Sequence, residues 1–378
     1  MSTGRVRPLR LVVMIPGGLA LLTGLWAGLL RLGVDLPELH SDLAALHGPL
    51  LVSGFLGVVI SIERAVALRR GWPYVAPIAA GAGTVLLLVG VPERAGQTLL
   101  VIASVTLVLV NLLLIQRQPV MHHVIMAMGA ASWAVGCAVW LAGRSTWQTV
   151  PFLAGFLVLT IVGERLELSR IARPGPGVRA ALLGAVVVFS AGLVVGLFSS
   201  LWGYRIAGVG LVAQALWLAR YDIARRTVRL SGLTRYMAVA FILGYIWLAV
   251  AGIAWIVSDG LVGPVATDVG LHAVFLGFVF SMIFAHAPVI LPAVTGLRLP
   301  YRPALYVPLT LLHVALVVRF LGAAAENRDV WRAGGVGTEV AIVLFILVAV
   351  GSSLSARRAR ADGAGDGTSD ADRAAVAG

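Results

Sequence analysis

Seven histidines sit in a chain that is otherwise almost free of polar side chains: His40, His47, His122, His123, His272, His286 and His313. Six of them lie in or at the end of long apolar runs, and His40 lies just before one. An ionisable group carried into lipid is costly and by default marks a site. The plainer alternative is a neutral imidazole that hydrogen-bonds between helices. Six such residues in one bundle weigh toward chemistry. Neutral imidazole ligates haem iron, copper and zinc, and it also relays protons.

The elements that must position these groups are membrane helices. The chain has 378 residues, 59% hydrophobic and 12% charged. Soluble proteins carry about 25% charged residues. The expected fold class is therefore all-α, a polytopic membrane helical bundle. Twelve apolar segments are long enough to span: 10–31, 44–66, 74–92, 97–116, 121–143, 149–170, 178–199, 201–220, 234–257, 268–293, 303–322 and 336–354. They form one transmembrane domain over 1–354. The tail at 355–378 is Ala, Gly, Asp and Arg without an apolar face and reads as disordered.

All 29 basic residues are Arg. With the N-terminus cytoplasmic, 22 of them fall on that side, among them Arg64 to Arg70, Arg165 to Arg179 and Arg220 to Arg235, and 7 fall outside: Arg31, Arg94, Arg144, Arg205, Arg319, Arg328 and Arg332. That asymmetry orients a multi-pass protein with both termini cytoplasmic, as in a bacterial inner membrane. It also accounts for the net charge of +12, so nucleic acid is not the expected partner. Lipid is. Trp147, Trp202, Trp255 and Trp331 lie near span ends, where interfacial anchors sit. Cys137 is the sole cysteine, and there is no C-x-x-C-H, so any haem would be held without covalent attachment.

Depth sorts the histidines. Spans 2 and 10 run in the same direction, and His47 and His272 both lie near their outer starts. Two neutral imidazoles on facing helices are a usual grip for low-spin haem b. His286 follows His272 by fourteen residues, about 21 Å deeper in a regular helix and within roughly 40° of the same face. His122 and His123 open span 5 at a depth comparable to His286, and Glu63 and Glu164 end there too. His313 lies mid-span in helix 11. A second, inner site built from His286, His122, His123, Glu63 and Glu164, with His313, would suit copper, iron or zinc. Against this, Glu63 and Glu164 are each followed by Arg, as in an ordinary snorkelling ion pair. Asp35, Glu38, His40 and Asp42 could load metal at the outer face, though a solvated acidic loop is the blander reading. Pro49 and Pro288 lie two residues after His47 and His286, where they would kink the helix and aim the ring.

One internal echo stands out: GFLGVVISIER (54–64) and GFLVLTIVGER (155–165) share Gly-Phe-Leu and Glu-Arg at one offset. Span 10 carries Gly277-Phe278, with His286 where the others have Glu. No phosphate-binding loop is present.

The stretches LHGPLLVSGFLGVVISIERAVAL (46–68) and His272 through HAPVILPAVTGLRLPYRPALYVPLTLLHVALVVRFLG (286–322) resemble the NnrS family. The resemblance implies a haem- and copper-containing membrane protein linked to nitric oxide, with a haem–copper-oxidase-like bundle. It also implies helices 2 and 10 as the source of low-spin haem ligands, here His47 and His272. The chain departs from that pattern in three ways. The family's histidine-rich signature in helix 2 is reduced to His47-Gly48-Pro49, the paired histidines of helix 10 are absent, and so is the tyrosine-linked copper motif. A full oxygen-reducing centre and a proton-pumping oxidase are disfavoured.

The reading that follows is a haem-binding, copper-capable membrane protein of nitric oxide or respiratory redox metabolism. A redox partner or quinol and a small gas such as NO would be its partners. The rivals are a cofactor-free secondary transporter and a copper permease, each using intramembrane His for coupling.

Overall fold

The computed structural model describes residues 8–38, 42–90, 92–169, 175–295 and 299–376, with side chains over 10–292 and 299–356 of these. Every regular element among them is helical. In lipid a helix satisfies all its backbone groups internally, and these runs have little else to offer. We number the principal helices α1 (Pro8–Arg31), α2 (Leu43–Leu68), α3 (Trp72–Leu88), α4 (Glu93–Arg117), α5 (Met121–Leu141), α6 (Thr146–Leu168), α7 (Pro176–Val195), α8 (Ser200–Tyr221), α9 (Gly232–Val257), α10 (Pro264–Pro292), α11 (Pro303–Ala324) and α12 (Arg328–Val376).

Each of the twelve expected spans coincides with one of these helices. Ten helices among the described residues are long and apolar enough to cross a membrane. The other two are α3, which is short, and α8, which carries Arg205, Gln214 and several glycines in its apolar run. The chain is a multi-pass membrane protein. The tail expected at 355–378 lies outside the described side chains apart from Ser355 and Ala356.

Neighbouring helices pack in antiparallel pairs, notably α5 with α6, α7 with α8 and α11 with α12. Small residues set the closest approaches, as expected where no hydrophobic drive separates helix from lipid. A Cβ at Gly208 of α8 would lie 2.6 Å from the Gly252 carbonyl oxygen of α9. Helix α6 runs through the middle of the bundle: 89% of its apolar window is buried, against 33% for α7. Trp133 of α5 ties the centre together. Its ring stacks on Phe156 of α6 at 4.8 Å, and its Nε1–H donates to Ser53 of α2 at 3.0 Å.

Among the described residues, α2 and α10 carry π-helical runs, Leu50–Leu56 and Ala273–Phe280. π-Helical turns are rare, cost hydrogen-bond geometry and recur at functional sites. One begins three residues after His47, the other immediately after His272. A π turn rotates less per residue than an α turn, so eight such residues rotate the lower half of α10 relative to its upper half. This overturns the expectation that His272 and His286 share a face. His272 looks toward α11, whereas His286 packs on Phe241 of α9.

Candidate functional site

The site grows from the first turns of α10. Pro264 at its start needs no hydrogen-bond acceptor there. Asp268 and His272 follow at i and i+4, so they project from the same side. The Asp268 carboxylate is buried and held from three directions. Arg319 of α11 donates through Nε to Oδ2 at 2.9 Å and through Nη2 to Oδ1 at 2.6 Å. Trp331 of α12 donates its Nε1–H to Oδ2 at 3.1 Å. The His272 Nδ1 lies 3.1 Å from Oδ1. The Arg319 guanidinium also lies 5.5 Å from the Trp331 ring centre, a cation–π contact.

The hydrogen bonds fix the histidine tautomers. His272 Nδ1 faces the Asp268 carbonyl oxygen at 2.9 Å. A carbonyl only accepts, so Nδ1 carries the proton. Nε2 then keeps its lone pair, and Arg319 Nη2, which can only donate, faces it at 3.3 Å. His47 behaves alike: its Nδ1 donates to the Gly24 carbonyl of α1 at 2.8 Å, leaving Nε2 as an acceptor. His47 lies within electrostatic reach of His272, Arg31 and Arg319.

Helix α1 makes room for this pair. A Cβ at Gly28 would stand 2.7 Å from Glu339 Oε1 of α12 and 3.0 Å from His47 Cε1. Glu339 is 8% exposed, and its Oε2 has no hydrogen-bond partner. The end of α1 is pinned as well. Gly33 adopts φ +74°, and its carbonyl accepts from Arg332 of α12 at 2.5 Å. Five helices, α1, α2, α10, α11 and α12, therefore converge on one buried polar cluster.

The inner set is arranged differently. Glu63 and Glu164 do come together, but around Arg64, whose Nη2 lies 2.7 Å from Glu63 and 3.4 Å from Glu164. Its Nη1 reaches Met126 Sδ at 3.1 Å. The two Glu-Arg echoes thus meet at one end of the bundle as an ion-pair cluster. Arg165, the second echo's arginine, is fully buried. It pairs with both oxygens of Asp222, at 2.9 and 2.7 Å, and stacks over the Phe241 ring at 3.8 Å. His286 packs against the other aspect of this group, 4.9 Å from Phe241, with Arg165 as its charged neighbour. His122 and His123 contact each other edge to face at 4.5 Å. His122 Nε2 lies 3.9 Å from Glu167, and His123 Nδ1 donates to the Gln118 carbonyl at 3.0 Å.

His313 proves to be an interhelical packing residue. Trp247 Nε1–H donates to its Nδ1 at 2.8 Å, which places the ring proton on Nε2. That nitrogen faces Ser281 Oγ at 3.4 Å, and Ser281 in turn donates to the Gly277 carbonyl. Both nitrogens of His313 are thus engaged, as both nitrogens of His272 are. Among the described residues no group of three or more His, Cys, Asp or Glu side chains is placed to hold a metal ion. Asp35, Glu38 and Asp42 are exposed, as a solvated loop would be, and His40 lies outside the described residues.

Of the expected interfacial tryptophans, Trp255 is instead internal, and Trp331 is half-buried near a helix start. Trp255 is fully buried and donates to the Gly270 carbonyl at 2.9 Å, and Trp331 serves Asp268. Trp147 and Trp202 are exposed at helix ends as expected. The reading from histidines alone omits Asp268, Arg319, Trp331 and Glu339. The signal for three of them was available, since each is a lone charge inside an apolar run.

Neither a curated protein nor a solved structure matches the chain. One family matches residues 10–354, described as a domain of unknown function, DUF8744. The match covers the whole bundle, all five converging helices included, and the chain belongs to this family.

Proposed function

We propose that the protein is a haem-binding membrane protein of respiratory or nitric oxide redox metabolism, with His47 and His272 as the two iron ligands. One observation carries this reading: on facing helices, both rings have Nδ1–H committed to a carbonyl and Nε2 left as an acceptor. That is the tautomer an iron ligand needs, and a hydrogen bond from the far nitrogen is its usual support. Haem b also brings two carboxylates, and Arg31 and Arg319 are cations within electrostatic reach of His47. The tautomers suit iron ligation, but Arg319 beside His272 and Glu339 beside His47 fill the space around the rings. Arg319 would have to release Nε2 while keeping Asp268. When bound, such a group supplies one-electron chemistry and a position for a small gas.

The Arg distribution supports a bacterial inner membrane with both termini cytoplasmic, with all twelve helices spanning. A lipid-soluble quinol or a redox protein would then exchange electrons at the His47 end. A pyridine haemochrome spectrum on protein expressed with haem supplied tests the reading, and metal analysis of the same sample reports copper. Protein that folds without either contradicts it. A second reading has its own support. Glu339 Oε2 is unpartnered inside a charged cluster, as a coupling group in a cofactor-free transporter would be. Flux into vesicles that is lost in Glu339→Gln, from protein lacking haem, would favour it.

A further inference from the structure

We infer that a groove between α6, α7, α8, α9 and α10 binds one anionic phospholipid, with the phosphate on Arg144 and a chain in the cleft. The groove lies at the His272 end of the bundle, across α10 from the polar cluster. Thr267 and Leu271 of α10 line it, while their chain neighbours Asp268 and His272 face α11 and α12. The site needs no haem.

Glycines shape the groove. A Cβ at Gly192 of α7 would run into the Ala207 backbone of α8, and one at Gly203 would run into Gly196 in the turn between them. These two helices therefore touch backbone to backbone at this end. Between them and α6, α9 and α10 lies a cleft of about 570 Å³. Phe152, Leu193 and Leu271 give it apolar walls, and on its inner side the buried Trp255 meets Tyr204 edge to face at 4.9 Å. Sites for single small ligands enclose roughly 300–1,000 Å³, whereas a protein partner needs a broad face.

The rim is cationic. Arg144 alone is charged among the described lining residues. It is exposed and has no ion pair among the described residues, unlike Arg205, which holds Asp259 at 3.1 Å. A second cation is near, since the Arg31 guanidinium lies 5.7 Å from the ring centre of Trp147, another lining residue. A guanidinium fork matches the oxygens of a phosphate. At the lip Trp147 is 53% exposed and Phe198 87%, as aromatic rings are at the boundary of lipid and water. Cations at the rim and apolar walls behind them select an amphiphile with an anionic head. A bilayer supplies that molecule, and basic pockets between membrane helices hold lipid headgroups.

Native mass spectrometry tests this on purified protein stripped of lipid in detergent and titrated with phosphatidylglycerol or phosphatidylcholine of matched chains. Wild type is expected to hold one phosphatidylglycerol about tenfold more tightly than phosphatidylcholine, as one charge-assisted contact would give. Arg144→Gln should abolish that preference and leave weak binding of both lipids. Arg205→Gln should keep it, because that cation already has a partner. Ser200→Trp, at the start of α8, puts a ring in the groove and should lose both lipids. Arg144 and Ser200 are exposed, so both of these variants are expected to fold. Wild type without a preference overturns the inference. So does a preference that survives either Arg144→Gln or Ser200→Trp, or one that Arg205→Gln abolishes equally, since general charge attraction then explains it.

Discussion

The two ends of the bundle both bury charge, and they use it differently. At the Arg165 end, arginines saturate the carboxylates: Arg165 grips Asp222 with two nitrogens, and Arg64 lies between Glu63 and Glu164. The nearby histidines serve aromatic, backbone or carboxylate neighbours separately. At the His47 end, the Asp268 carboxylate is likewise saturated and His272 Nε2 faces Arg319, but Glu339 Oε2 has no hydrogen-bond partner. The comparison teaches that buried charge in a membrane helix does not by itself make a site. A buried polar atom left without a partner, as at Glu339, is the sharper mark of one.

The largest expected effect lies at the first end. Arg165→Met leaves Asp222 buried and unpaired, which costs roughly 3–5 kcal/mol. A large drop in the thermal unfolding midpoint in detergent, or loss of folded protein, checks it. Survival with unchanged stability would mean that this end is not the structural anchor. Next is Arg319→Met, which strips the same kind of pair from Asp268 at the other end and should cost a similar or slightly smaller amount, because Trp331 and His272 still reach that carboxylate. Equal fragility at both ends sharpens the comparison, since their difference is then chemical rather than mechanical.

A smaller effect is expected from His313→Ala. It leaves the Trp247 Nε1–H without its acceptor and costs about 1–3 kcal/mol. Ligand absorbance should be untouched, and a lost Soret band would place His313 back among the ligands. The smallest effect belongs to Glu164→Gln. Its contact with Arg64 is 3.4 Å, and Glu63 remains at 2.7 Å, so a change within about 1 kcal/mol is expected by chemical denaturation.

Much of this bundle could be read from residue order alone. Apolar length locates helices at all twelve segments, ten of them long and apolar enough to cross a membrane, because lipid leaves a chain few alternatives. Helical rise puts His47 and His272 at one depth, and both belong to the polar cluster on which five helices converge. The same arithmetic failed on His286, because it assumed regular turns through Ala273–Phe280. A π-helical run is decided by what packs around the helix, and here Gly277 lies against Trp247 of α9. Arg319 was counted as a charge at the outer face, yet it lies inside α11 with 6% exposure. Its partner Asp268 is 51 positions earlier in the chain, a pairing that only the folded bundle discloses. Depth brings Glu63 and Glu164 to one end, and they meet there around Arg64, the ion pair that the following arginines suggest.

The central claim is that His47 and His272 form one ligand pair while the other intramembrane histidines do not. Haem content per chain, measured on purified wild type, His47→Ala, His272→Ala and His286→Ala, tests it most directly. The account predicts haem in the wild type and in His286→Ala, with the Soret band lost or displaced in both His47→Ala and His272→Ala. Equal haem content and an unchanged Soret band in all four proteins would contradict it.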